Sequence, residues 1–119
     1  MLRNKDYELI SIGGKDKPIA FNLNVQSELQ EEFGAIADWA KKLDDGNTMA
    51  LITTFRIMIN EGIAIVNEDD GKTEKEITQR TAGRWLTSIG ISGFKEKMSE
   101  MLGSDEEREA TPIEQPRQD

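Results

Sequence analysis

The chain has 119 residues, a formal net charge of −8 and neither histidine nor cysteine; that length predicts a single domain. Without cysteine there are no disulfides and no thiolate metal sites. Without histidine the commonest general base and metal ligand are gone, together with every Ser-His and Cys-His nucleophile pair. An acidic surface repels phosphate backbones, and the densest basic pair, Lys41-Lys42, is followed at once by Asp44-Asp45, so no nucleic-acid partner is expected.

Hydrophobic residues make up 36% of the chain and aromatic residues 6%. This is enough for a modest core, and self-association is expected to complete the burial. The N-terminus, M-L-R-N-K-D-Y, has no apolar run after its charges and does not look like a secretory leader. No apolar stretch approaches the length of a membrane span, so a soluble protein that stays in the cytoplasm is expected.

Tyr7-Glu8-Leu9-Ile10-Ser11-Ile12 is the first strand candidate, from its β-branched and aromatic content. Gly13-Gly14-Lys15-Asp16-Lys17 has turn chemistry, and Pro18 suits the first position of a return strand, where its missing N–H costs no ladder bond. Residues 19–34 then organise the chain. Ile19, Phe21 and Leu23 alternate as one face of that return strand, after which Val25, Leu29 and Phe33 recur every four residues, as on one face of a helix. Asn24 stands where the period changes and is placed to cap the helix; Gly34 is placed to close it. Phe21, Val25, Leu29 and Phe33 are assigned to the core.

Ile36, Trp39, Ala40 and Leu43 predict a second short helix, stopped by Asp44-Asp45-Gly46. The most apolar segment follows: Thr48 is a candidate cap, and Leu51, Ile52, Phe55, Met58 and Ile59 form the broad face of a central helix up to Gly62. Ile63-Ala64-Ile65-Val66 either prolongs that helix or forms a buried connector. Asn67-Glu68-Asp69-Asp70-Gly71-Lys72 is expected to be a solvated loop. Thr73-Glu74-Lys75-Glu76 has the form of a capping box and predicts a fourth helix, with Ile77, Ala82, Trp85, Leu86 and Ile89 buried and Gly90 at its end. Ser92 is placed to cap a last helix carrying Phe94, Met98, Met101 and Leu102 along one side. The acidic remainder, 103–119, has two prolines and almost no apolar content, and is expected to be disordered beyond a domain of 1–102.

Little of this carries chemistry. The acids lie in solvated runs rather than isolated in apolar surroundings, and the Glu31-Glu32 pair fits an exposed helix face. An EF-hand ending at Asp70-Gly71 fails on spacing, since Glu68 and Val66 stand where oxygen ligands are needed and no Glu follows at the required distance. Gly14-Lys15 and Gly71-Lys72 lack the glycine five residues upstream that a phosphate loop requires. No catalytic, cofactor-binding or metal-ligating residue is assigned. Two features invite a partner: methionines at 49, 58, 98 and 101, since methionine suits adaptable surfaces, and the stripe on the terminal helix. Met49 and Met58 read as core. Phe94, Met98, Met101 and Leu102 are assigned to a partner-facing surface.

A hairpin with a Gly-Gly-Lys turn, an apolar return strand, a helix bearing L-x-E-E-F-G, several more helices and a charged tail together resemble the tail assembly chaperones of long-tailed, non-contractile phages and prophages of Gram-positive bacteria. The residues that carry the resemblance are Ile10-Ser11-Ile12-Gly13-Gly14-Lys15, Ile19-Ala20-Phe21-Asn22-Leu23-Asn24 and Leu29-Gln30-Glu31-Glu32-Phe33-Gly34. Lys17-Pro18 departs from it by interrupting the hairpin. The resemblance implies a non-enzymatic protein of the host cytoplasm that coats the tape measure protein, recruits tail tube protein, self-associates and is absent from the finished particle. It also implies that this chain is the short form of a pair whose longer form arises by frameshifting. The rivals are a structural virion component, such as a head–tail connector or minor tail protein, and a small acidic regulatory adaptor. The fold expected is α+β and mainly helical, an N-terminal β-hairpin packed on four or five helices.

Overall fold

The computed structural model describes residues 6–113, with side chains as far as residue 103. An antiparallel hairpin, β1 (Glu8–Ile12) and β2 (Lys15–Ile19), is followed by α1 (Leu23–Phe33), α2 (Ile36–Asp44), α3 (Thr48–Asp70), α4 (Gln79–Ile89) and α5 (Ile91–Ile113). The fold is α+β and mainly helical, as the pattern predicts.

The hairpin turns more tightly than expected. Ile12 pairs with Lys15, so the loop is Gly13-Gly14 alone, with φ of 59° and 83°. Two successive positive φ values define the primed turn whose twist matches its strands, and glycine adopts them without a Cβ clash. The return strand therefore begins at Lys15, and Pro18 lies inside it, opposite Leu9. In this register bonded pairs alternate with unbonded ones, starting from the bonded pair Ile12–Lys15. Leu9–Pro18 is an unbonded pair, so the missing N–H of Pro18 falls on the far side of β2, where the ladder loses nothing.

That far side meets α3. The Ala20 N–H donates to the Met58 carbonyl at 3.1 Å. A Cβ built on Gly62 would lie 2.6 Å from the Pro18 carbonyl carbon and 2.7 Å from the Ile19 nitrogen. Strand and helix thus touch backbone to backbone, and Gly62 is the residue that permits it. Because Gly62 serves this crossing rather than ending a helix, α3 continues through it for 23 residues. Ile63, Ala64, Ile65 and Val66 prolong the helix, and Asn67, Glu68, Asp69 and Asp70 are its last turn rather than a loop. Asn47, not Thr48, is the cap, its side chain accepting from the Ala50 N–H at 2.9 Å.

Uninterrupted, α3 is long and apolar enough to cross a membrane, contrary to expectation, yet 67% of the window that qualifies is buried inside the fold. It touches β2, α1, α2 and α4, the arrangement of a core helix apolar on most sides. Phe55 and Met58 are fully buried, whereas Met49, in the first turn, is 67% exposed rather than core. Thr54 is also fully buried, its hydroxyl accepting from the Trp39 indole N–H at 2.9 Å, which satisfies both polar groups.

Helix α1 begins earlier than the period change suggests. Asn22 is the cap, accepting from the Val25 N–H at 3.1 Å, which makes Leu23 the first helical residue rather than the end of a strand. Leu23 is accordingly 78% exposed, while Val25 and Leu29 are fully buried. Phe21 and Phe33 pack half-buried against the core, Phe21 stacked on Trp39 with ring centroids 6.1 Å apart. Gly34 closes α1 with φ 84°, its N–H donating to the Gln30 carbonyl.

The largest departure lies between α3 and α4. Residues 72–78 form no helix, and the capping box at Thr73 is unused. Two asparagines of α3 hold this segment against the helix. The Asn60 amide accepts from the Ile77 N–H at 2.7 Å and donates to the Ile77 carbonyl at 3.1 Å. Asn67 grips Glu74 in the same two-bond fashion, at 3.0 Å each. Asn60 and Asn67 are seven residues apart and so share a face of α3; each offers a backbone the donor and acceptor that a neighbouring strand would. The helix starts only at Gln79, capped by Thr78.

Helix α5 starts at Ile91, directly after Gly90, so Ser92 lies within it rather than capping it. It runs through Ile113. Glu-Glu-Arg-Glu-Ala is strong helix-forming sequence, and extending an existing helix avoids the cost of nucleation. The rest of the expected tail, 114–119, lies outside the described residues.

Gly62→Ala should destabilise the domain by about 3 kcal/mol, because both surfaces at the clash are backbone. Gly83→Ala is the control: its Cβ would make ordinary 3.6 Å contact with Ile52 Cδ1. Thermal melts should show the first substitution lowering the midpoint and the second leaving it unchanged or raising it by a few degrees. Asn60→Ala should cost about 2 kcal/mol in urea titration, since it strands a part-buried N–H and carbonyl, and Asn67→Ala, at an exposed site, about half as much.

Candidate interaction surface

The stripe assigned to a partner is taken up by the chain itself. Phe94 is fully buried, Met98 and Met101 are each 7% exposed, and Leu102 packs half-buried against the same cluster. The Phe94 ring meets that of Phe55 edge-on, 5.1 Å between centroids at 83°, a preferred aromatic geometry. This corrects the surface assignment. An apolar stripe at helical spacing has the same pattern whether its own domain or another molecule covers it, and here α5 folds back to cover α3.

The other candidates also resolve into ordinary structure. Glu31 and Glu32 are exposed on α1, and Gly71 is the left-handed C-cap of α3. Lys41 pairs with Asp45 at 3.5 Å on the surface. Among the described residues no acidic group converges as a metal site.

Periodicity did not flag three polar clusters. Glu61 accepts from Asn22 at 2.7 Å and Asn24 at 3.1 Å, tying the start of α1 to α3. Gln79 bridges α3 and α4, accepting from Arg56 at 2.8 Å and donating to Thr53 at 2.9 Å. Lys97 of α5 reaches Glu8 of β1 at 3.0 Å and Glu100 at 3.7 Å. In the sequence, the only trace of the first two is polar residues set into an apolar helix. In each cluster at least one bond joins residues distant in the chain.

The third cluster borders the feature with most scope for binding. The sheet has two strands, and α3 covers the outer edge of β2. The outer edge of β1 carries the N–H and C=O groups of Leu9 and Ser11, which the register turns away from β2. Beside it runs an open groove of about 300 Å³, bounded by Leu9, Ile10 and Ser11 on one side and by Ile89, Gly93, Glu96, Lys97 and Glu100 on the other. Leu9 is 45% exposed there.

Comparison with known proteins yields no match to a family model, to a curated protein or to a solved structure.

Met98→Glu places a carboxylate in the core and should unfold the domain or destabilise it by more than about 3 kcal/mol. Loss of the native circular dichroism melt is the expected result; a folded variant altered only in its associations would return the stripe to the surface.

Proposed function

We propose that this protein acts by binding other proteins, as a tail assembly chaperone that holds the tape measure protein and tail tube subunits during phage tail morphogenesis. The observation that carries it is the run from Ile10 to Gly34, whose three segments resemble that family. In the fold these segments are one unit: the Gly13-Gly14 turn, the passage past α3 at Ala20, and the capped helix ending in Leu29-Gln30-Glu31-Glu32-Phe33-Gly34. A non-catalytic role also agrees with a chain that lacks histidine and cysteine. Its acidity, and a sheet edge that no other described residue pairs, suit a binding protein. Self-association and residence in the host cytoplasm belong to the same proposal.

Co-expression with the tape measure protein encoded by the same phage or prophage, followed by size-exclusion chromatography with light scattering, tests it. The tape measure protein should remain soluble only in a stoichiometric complex with this chain. If it aggregates regardless and the two elute apart, the chaperone assignment fails; recovery of the chain in purified particles would then identify a structural virion component.

A further inference from the structure

We infer that the outer edge of β1 is a docking site for an extended, lysine- or arginine-bearing segment of a partner protein, which joins the hairpin as a third strand. The inference deepens the binding role proposed above and rests on it in taking the partner to be a protein.

Hydrogen-bond geometry defines the shape of the occupant. The N–H and C=O groups of Leu9 and Ser11 point away from β2, and no backbone or side-chain bond to another described residue uses them. Two donors and two acceptors repeating about 7 Å apart match an extended chain. The opposite edge of the sheet cannot do this, since α3 covers it and Pro18 has no N–H to offer. An edge left open in this way is also one that proteins normally block, and β1 carries neither a proline nor a lysine to block it.

Access and charge narrow the chemistry. Nothing lies within 4 Å of where a Cβ on Gly93 would stand, so the helical wall of the groove is open opposite the strand. Exposed Leu9 and half-buried Ile89 offer apolar contact for alternate side chains. Among the described residues, the ionic groups lining the groove are Glu96, Lys97 and Glu100, with Glu8 beside them, and Lys97 is already shared between Glu8 and Glu100. The balance is acidic, on a chain whose net charge is −8. A second copy would bring the same acids against these, whereas a basic segment would be attracted and steered to them.

The test is a titration of the isotope-labelled full chain, followed by NMR, with a capped peptide alternating lysine and valine, and with its glutamate-for-lysine analogue. The lysine peptide should shift the amides of Leu9, Ser11, Gly93 and Glu96 and the glutamate peptide should not. Ser11→Pro removes an outward N–H while leaving the bonded pairs Ile10–Lys17 and Ile12–Lys15 in place, and should weaken binding about tenfold. If Ser11→Pro disturbs the hairpin, Glu96→Lys on the exposed face of α5 decides alone, and should weaken the lysine peptide several-fold without lowering the melting temperature. Equal binding of both peptides, shifts centred elsewhere, no shifts at millimolar peptide, or peptide-free shifts at Leu9 and Ser11 that grow with protein concentration would each overturn the inference, the last in favour of a second copy. Co-expression separates this from the functional proposal. A Ser11→Pro chain, still folded, that keeps the tape measure protein soluble removes the edge and leaves the role. A native chain that binds the lysine peptide but not the tape measure protein removes the role and leaves the edge.

Discussion

The crossing of β2 over α3 is backbone against backbone, and the position of nearly every other element follows from it. Ala20 donates to the Met58 carbonyl, while Pro18 and Ile19 lie where a side chain on Gly62 would have to be. An isolated two-stranded hairpin is marginal in water, so this one depends on α3 to cover the β2 edge and its apolar residues. In return the hairpin fixes where the chain enters α1. Asn22 caps that helix and reaches Glu61, one position before Gly62. Val25 and Leu29 are then delivered to the core cluster that includes Ile19 and Phe55.

The remaining surface of α3 is claimed in turn. Trp39 brings α2 to Thr54, Asn60 and Asn67 hold the chain after Gly71, and Gln79 joins α4 to Thr53 and Arg56. These contacts are polar bonds at the border of an apolar helix. They add direction to a burial that is otherwise non-directional. Helix α5 completes the enclosure through Phe94 on Phe55, and its Lys97 returns to β1. Among the described residues, the outward backbone groups of β1, those of Leu9 and Ser11, are left without a bonding partner. A fold that spends its methionine stripe on its own core has its clearest binding potential in backbone groups instead.

Local pattern foretold most elements, and its failures share one cause. Val25, Leu29, Trp39 and Leu43 are buried where a four-residue period puts them, and Gly34 and Gly90 end helices as expected. Gly62 misled as a terminator because a glycine needed for close approach and one needed for a left-handed cap look alike in sequence. Thr73 misled because its capping box competes with the two-bond grip of Asn60 and Asn67, and the partners in that grip are up to seventeen residues apart. The stripe on α5 was correctly identified as apolar and wrongly turned outward.

The sequence by itself determined the α+β class, the number and order of elements, and the lack of histidine- and cysteine-based chemistry. These depend on residue type and on periods of two and 3.6, which are local. Tertiary structure alone decided which apolar face meets which, that α3 runs unbroken past Gly62, that residues 72–78 stay out of the helix, and that the stripe of α5 is buried while, among the described residues, the edge of β1 is not bonded. Each of those turns on a contact between residues far apart in the chain, where propensity is silent and the geometry of packing chooses.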